Sequence, residues 1–490
     1  MPKSSTESFV TEYGLRTSSY EDSVLRKRFW AAKQQYNALL GECLKRLNRL
    51  RRDPRFSEAL SIYKEEGRKL EARRLFKALE KEYGYSEYSL HTYSKQWTKT
   101  DLSIGADLSQ KLAKRVFSAV DQYKRKLRGK PRFKGYRGVS SIEGKAVSTP
   151  SLKEETVHYL GLKLPLIIDR KDPIHHHGLS CKLKYIRLVQ RQIGGKTRYF
   201  AQLISEGKPW IKSKNQSNAG VVGLDIGPQT IALVSPQAKQ ASLQVFADGI
   251  KQQQQVKKKL QQKLSRQLRI NNPSCFEAEK WKKKDKHWEK KQGKNIKGKR
   301  LIVRSQGAEQ TRKQLADICR KEAAYRKTAH GTLVNDILRI GNQVKLEKLS
   351  YQSFQKNYGK SVGLRAPGQF VEHLRRKAAN AGGGVEEIST YKTKLSQACQ
   401  CGTYKKKSLK ERWHVCSSCA VEAQRDLYSA YLACFVEKDQ LMADQAKKAW
   451  SGMDIALNAA MEELKHSNSR AMPASLGLRS GAENVALSVP

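Results

Sequence analysis

The chain has 490 residues and carries 95 Lys and Arg against 46 Asp and Glu, a formal net charge of +49. That length allows about two to four domains, and so much like charge repels itself unless a polyanion shares it. The cations are spread along the chain, which fits a long nucleic acid better than one docked patch, a membrane surface or a merely basic soluble protein. No apolar run of about 20 residues is present, and the start MPKSSTESFV has no apolar core of a signal peptide. Cys43, Cys181, Cys275, Cys319 and Cys434 are isolated, and the other cysteines cluster between 399 and 419. That usage fits a metal site in a reducing compartment, not a disulfide framework.

Residues 8–18 alternate and predict one strand. A helix follows from Ser19, with Leu25, Phe29, Ala32, Tyr36, Leu39, Leu40, Leu44 and Leu47 on one stripe and Arg and Lys on the other face. Further helices are expected at 57–83 and 108–127, giving a basic helical bundle over 19–130. Its cationic faces suit either solvent or a nucleic-acid backbone. The stretch Lys130-Pro131-Arg132-Phe133-Lys134-Gly135-Tyr136-Arg137 interleaves cations with two aromatic rings. It reads as a phosphate track with stacking platforms, or as a basic linker. Strands are expected at 156–160, 162–168, 181–189 and 197–205, the last two joined at Gly194-Gly195. With residues 8–18 they could form a small barrel over 1–18 and 131–210 into which the bundle is inserted. His175-His176-His177 is expected in a loop; three adjacent imidazoles do not easily face one ion.

After a linker at 211–219, Val221–Val234 reads as a buried strand, a Gly-Pro turn and a second strand, with Asp225 its one charge. Two readings fit Asp225: a turn cap, or a ligand for a divalent metal that offsets its burial. The run 251–304 is rich in Lys, Gln and Arg, with Trp281 and Trp288 in its middle, and part of it is expected to lack order without a partner. A helix is expected from Thr311 to Gly341, then a short strand with Glu347 near its end, a loop containing Arg365, a helix at 369–380 and a strand at 385–390.

Cys399 and Cys401, then Cys416 and Cys419, form two close pairs that suit a tetrahedral zinc ribbon over 395–422, with His414 a possible substitute ligand. Lys405, Lys406 and Arg412 lie between the pairs and could touch a nucleic-acid backbone. Asp426 then opens an apolar helix, where it is either a helix cap or a third acid beside Asp225 and Glu347. Three carboxylates can hold two divalent ions about 4 Å apart for phosphodiester hydrolysis, and magnesium suits oxygen ligands.

Pro-Arg-Phe-Lys at 131–134, Gly-Leu-Asp-Ile-Gly at 223–227, Lys-Leu-Glu-Lys-Leu at 345–349, Leu-Ser-Gln-Ala-Cys-Gln-Cys-Gly at 395–402 and Gln-Arg-Asp-Leu-Tyr-Ser-Ala at 424–430 occur in this order. With them the chain resembles the TnpB family of transposon-encoded RNA-guided nucleases, relatives of the compact type V CRISPR effectors, over about residues 5–437. The resemblance implies an α/β multidomain protein with an RNase H-like (RuvC) nuclease domain split over 220–394 and 423–437 around the zinc ribbon. It also implies an N-terminal wedge barrel carrying a helical recognition bundle. Asp225, Glu347 and Asp426 would hold two Mg2+, and one structural Zn2+ would sit on the four cysteines. A transposon-derived guide RNA would direct cleavage of double-stranded DNA beside a short adjacent motif, by a protein monomeric in its RNA complex and cytoplasmic. Arg365 and Arg425 join the candidates for nucleic-acid contact. Departures are Gln424 where many relatives have Asp, the single residue between Cys399 and Cys401, Ala420 where Gly is common, and a longer basic stretch at 251–304. Residues 438–490 match nothing in the family; helices are expected to about Lys465, then a Ser/Gly-rich disordered tail.

Overall fold

A computed structural model describes residues 6–135, 138–145, 149–247, 251–284, 287–296, 298, 302–408 and 411–466. Tyr136, Arg137 and the tail after 466 lie outside the described residues. The chain divides into two compact units, Met1–Trp210 and Ile211–Pro490. No helix among the described residues is long and apolar enough to cross a membrane.

In the first unit, β1 (Ser8–Leu15) alternates buried and exposed residues. The helix α1 (Ser19–Arg52) starts in a capping box: Ser18 Oγ accepts from the Glu21 amide, and the Glu21 carboxylate accepts from the Ser18 amide. The single helix expected at 57–83 is two, α2 (Pro54–Lys64) and α3 (Lys69–Glu82). The break falls at Gly67, whose φ of 85° lies in the left-handed region that glycine favours. Then come α4 (Glu87–Ser94), which the sequence pattern did not announce, and α5 (Ala106–Lys124).

The remaining strands are β2 (Ser141–Glu143), β3 (Ser151–Lys153), β4 (Thr156–Tyr159) and β5 (Leu162–Ile167), then α6 (Pro173–Ser180), β6 (Leu183–Ile193) and β7 (Lys196–Glu206). They pair antiparallel in the order β2-β6-β7-β1-β5-β4-β3, so β1 lies in the middle and five helices follow it before the chain returns to the sheet. Among the described residues this ladder is open, with β2 and β3 at its ends, where a closed barrel was expected. Tyr13, Phe29, Leu39, Leu47, Val116, Tyr159, Leu188 and Leu203 share one buried core between helices and sheet. The three histidines stand on α6 rather than in a loop. Each ring is spent on backbone: His175 Nδ1 accepts from the Asp169 amide at 2.9 Å, His176 Nε2 meets Arg170 O at 2.7 Å and His177 Nε2 meets Lys208 O at 2.9 Å.

The second unit begins with β8 (Val221–Ile226), β9 (Thr230–Ser235) and β10 (Gln240–Val245), an antiparallel meander. The basic run contains α7 (Lys251–Asn271) and a two-stranded ribbon, β11 (Lys280–Lys284) and β12 (His287–Lys291). Of this run, expected in part to lack order, 285–286, 297 and 299–301 lie outside the described residues. Next are α8 (Gln306–Ile340), β13 (Gln343–Glu347), α9 (Tyr351–Arg365), α10 (Pro367–Asn380) and β14 (Gly384–Ile388). The loop expected to contain Arg365 shrinks to Ala366, whose φ of 49° separates the end of α9 from the start of α10. The described residues end with α11 (Thr390–Thr393), β15 (Trp413–Val415), β16 (Glu422–Gln424), α12 (Arg425–Ala433), β17 (Val436–Glu437), β18 (Gln440–Leu441), α13 (Ala443–Lys448) and α14 (Met453–His466).

The central sheet has the order β10-β9-β8-β13-β14, with β8, β13 and β14 parallel. Strand alternation splits its side chains between two cores. Val222, Leu224, Val344 and Leu346 pack on Leu333, Val334, Ile337 and Leu338 of α8 and on Phe370 and Leu374 of α10. The opposite face is covered by Leu427, Tyr431 and Ala430 of α12 and by Leu457 and Met461 of α14. Residues 223 and 225 of β8 and 345 and 347 of β13 point to that second face, toward α12.

Candidate catalytic acids and cysteine cluster

The alternation that buries Leu224 and Ile226 under α8 turns Asp225 to the α12 side, at the C-terminal end of β8. Glu347 ends the neighbouring parallel strand β13 on the same side. Asp426 stands in the first turn of α12, which lies across both strands. All three side chains are partly buried. The Asp225 carboxyl is pushed well above the usual carboxylate range, by burial first, then by the charges of Asp426 and Glu347, against a smaller lowering by Arg425. Burial also raises the Glu347 carboxyl. Sharing one edge, the acids repel each other, and a divalent cation would relieve that repulsion. They are not gathered as tightly as the cysteines, the one group among the described residues whose ligand atoms all lie within 4.8 Å of one another. A wider spread suits ligands on either side of an ion pair.

Two candidates for phosphate contact are built into the protein instead. Arg365 is 3 % exposed, and its guanidinium donates to Phe246 O at 2.7 Å and to Ser361 Oγ at 2.8 Å. Arg425 is also largely buried; it donates to Glu411 O at 3.0 Å and lies 3.4 Å from Asp426 Oδ1. It ties the loop between the cysteine pairs to the third acid. Gln424, in place of an acid, caps α12: its Oε1 accepts from the Leu427 amide at 2.8 Å.

Cys399 and Cys419 sulfurs lie 3.4 Å apart and Cys401 and Cys416 sulfurs 3.6 Å apart. Tetrahedral zinc with bonds of about 2.3 Å places sulfurs about 3.8 Å from one another, so the four thiols fit that ion with no further ligand. The short first loop closes through Gly402, whose φ is 84°, with its amide on Cys399 O at 2.9 Å. His414 is outside the set; its ring stacks on Tyr428 at 4.3 Å between centroids, and burial with Lys407 and Lys405 lowers its pKa to about 4. Tyr428 Oη lies 3.4 Å from Cys399 Sγ and accepts from the Gln400 amide at 3.0 Å. No spacing rule marks this tyrosine in sequence. Through it, α12 touches the cysteine cluster two residues from Asp426.

Purified protein is expected to hold about one zinc per chain by metal analysis, and Cys399→Ser or Cys416→Ser to lose it together with much of the thermal stability of the second unit. Zinc-free protein with unchanged melting would remove the structural role. Ala420 has a φ of 54°, a left-handed conformation that costs a β-carbon about 1–2 kcal/mol. Ala420→Gly is expected to raise stability by about 0.5–1 kcal/mol with zinc retained, read as a higher melting midpoint.

In the first unit Lys130 and Arg132 are exposed, and Phe133 is 56 % exposed at the rim of a cavity of about 500 Å³ that also takes in Lys45, Arg49 and Arg52. Lys134 is half-buried, its Nζ 5.1 Å from the Tyr36 ring centroid and its backbone held by Asn37. A second cavity, of about 690 Å³, lies between α5 and β6 and is lined by Lys111, Lys114, Arg115, Arg187 and Arg191. Arg187 and Arg191 fall on one strand face, four residues apart, a pattern that periodicity alone could have flagged. Lys405 and Lys406 are exposed in the second unit and Arg412 partly so.

The fold and these sites define an α/β protein of several parts, with a cysteine cluster capable of holding a metal ion and three acids on one sheet edge. Residues 368–432, from α10 into α12, match a family model described as Cas12f1-like, TNB domain. That span takes in both cysteine pairs and Asp426. Two solved structures match at 13 % sequence identity. One is a cryo-EM structure of the Cas12f1-sgRNA-target DNA complex, with a TM-score of 0.45, covering 87 % of this chain and 98 % of that one. The other is a cryo-EM structure of a CRISPR-Cas12f ternary complex, with a TM-score of 0.28, covering 86 % and 83 %. No curated protein matches.

Proposed function

We propose that the chain is an RNA-guided DNA endonuclease of the kind shared by TnpB and the compact type V effectors. The observation that carries this reading is the meeting of Asp225, Glu347 and Asp426 on the α12 face of one sheet edge, with Asp225 electrostatically burdened by the other two. A mixed sheet with its first strand central, two acids at the carboxyl ends of parallel strands and the third on a helix packed across them supports an RNase H-like nuclease domain. Asp225, Glu347 and Asp426 would hold divalent ions, magnesium by the hardness of the ligands, which would supply an activated water and charge neutralisation at the leaving oxygen. Asp225 and Glu347 fix the site from rigid strands, and α12 brings Asp426 with Arg425 beside it. The charge of +49 supplies the grip on guide and target backbones, and base pairing with a guide supplies sequence choice. The protein acts as a monomer on its RNA and reads a short motif beside the target.

The match over 368–432 favours the compact type V variant over a transposon nuclease; a repeat array or a transposon end beside the gene tells them apart. A guided repressor that does not cut is disfavoured because no acid is missing. The test is to purify the protein from cells carrying its native flanking locus and to sequence the bound RNA. A discrete co-purifying RNA is expected, and its absence would sink the guided reading.

A further inference from the structure

The basic run forms a two-helix arm that ends in the ribbon. Arg326 Nη1 donates to Leu364 O at 2.7 Å and His330 Nε2 meets Arg365 O at 2.9 Å. The His330 ring stacks on Phe246, just past the end of β10. Val245 pairs with Thr230 and Ile226 with Ile231, so Phe246 marks the sheet edge where Asp225 lies. From His330 back to Gln306, α8 runs on for about 36 Å at 1.5 Å per residue. Along that length α7 packs against it: Lys257 Nζ binds the buried Glu322 carboxylate at 2.7 Å, and Asn271 Nδ2 donates to Ser305 Oγ at 3.1 Å. The arm thus rises from the acid edge and carries the ribbon at its far end.

The ribbon is firmly rooted. The Glu277 amide donates to Lys294 O at 2.9 Å and the Ile296 amide to Cys275 O at 3.0 Å. The Arg269 guanidinium stacks on Phe276 at 4.5 Å and donates to Gly293 O at 2.9 Å. The Asn272 side chain bonds Val303 through both its atoms, at 2.7 and 2.8 Å. In the ribbon's register Trp281 is opposite Lys290 and Lys283 is opposite Trp288. Alternate residues share a face, so both tryptophans stand on one face as diagonal neighbours, about 7–8 Å apart. Each is 63 % exposed, so neither covers the other nor is covered by the arm. Between 280 and 294 the sequence has eight lysines against Asp285 and Glu289. Two large exposed rings on a fixed scaffold are costly to leave in water, and the cations around them are complementary to phosphate.

We infer that the face of the ribbon bearing Trp281 and Trp288 is a docking site for single-stranded DNA, each indole stacking on a base while the flanking lysines hold the backbone. Stacking tolerates any base, as a strand opened at an arbitrary target demands. The choice of DNA over RNA rests on the proposed nuclease reading, since the arm grows from the edge that holds the acids.

The test uses the full-length protein, freed of nucleic acid, in magnesium-free buffer, so its outcome does not depend on cleavage. Binding of labelled oligo(dT) and of oligo(rU) of equal length is measured over a range of salt concentrations, for the wild type, the double variant Trp281→Ala/Trp288→Ala and the conservative Trp281→Phe/Trp288→Phe. The alanine pair is expected to weaken oligo(dT) binding about 10-fold or more with the salt slope unchanged, because stacking releases no counterions. The phenylalanine pair is expected to recover most of it. Bromodeoxyuridine-substituted oligo(dT) is expected to photo-crosslink to the peptide containing Trp281 or Trp288. Unchanged oligo(dT) binding with no crosslink there would overturn the site. A loss confined to oligo(rU), or a fall in melting temperature with binding intact, would overturn it as well.

Discussion

Asp225→Ala, Glu347→Ala and Asp426→Ala are each expected to lower DNA cleavage by about three orders of magnitude or more, while guide RNA binding and zinc content stay at wild-type levels. The expectation follows from geometry. Each acid reaches the α12 face from a different element, so none can stand in for another. Loss of one leaves a site short of a ligand and of negative charge. The isosteric Asp225→Asn separates charge from packing. Asp225 is burdened by Asp426 and Glu347 when no cation is present, so removing its charge relieves repulsion at neutral pH. Asp225→Asn is expected to melt higher than the wild type in magnesium-free buffer and yet not to cut. Adding magnesium is expected to raise the wild-type midpoint and leave that of Asp225→Asn nearly still. Full cleavage by any one alanine variant removes that residue from the site; equal midpoints with and without magnesium would count against a divalent ion there.

The features that could be read from sequence are those with short-range causes. The hairpin at Gly194-Gly195 needs two left-handed residues, which the pair supplies, with φ of 57° and 78°. The stripe on α1 and the paired cysteines likewise declare themselves by spacing. Asp225 and Glu347 drew attention because each is a carboxylate at the end of an apolar strand. The features that could not be read depend on distant partners. Arg365 looks like any surface cation in sequence, and only the fold brings Phe246 O and Ser361 Oγ to its guanidinium. Arg425 is hidden in the same way by the carbonyls of Ser408 and Glu411. The helix α9 has Gly359 and Gly363 within it, which lowered its helical signal, and tertiary contacts of Val362 and Leu364 override that. The anchoring of α7 could not be read because Glu322, which holds it through Lys257, lies beyond the basic run.

Gly223→Ala is expected to be among the most disruptive single-methyl changes in the second unit. Gly223 sits on β8, two residues before Asp225, where α12 crosses the strand. A β-carbon there would lie 1.9 Å from Ala430 O and 2.9 Å from Cys434 Sγ. The first of these is helix backbone, which no side-chain rotation can move aside, so α12 itself must shift outward. That shift draws Asp426 away from Asp225 at one end of the helix and Tyr428 away from Cys399 close by. Overpacking of this kind costs about 2–3 kcal/mol, read as a lower melting midpoint or a lower denaturant midpoint at unchanged slope. Cleavage is expected to fall with it, measured well below the melting temperature so that the loss reflects a displaced acid rather than unfolded protein. Gly363→Ala serves as the control: it lies within α9, and a β-carbon there meets nothing within 4 Å. In a helix interior that change is expected to stabilise by about 0.5–1 kcal/mol and leave cutting intact. The acid variants lose cutting without losing stability, whereas Gly223→Ala loses both. If it melts and cuts as the wild type does, α12 is not seated on β8 at that point, and the meeting of Asp426 with Asp225 loses its structural basis.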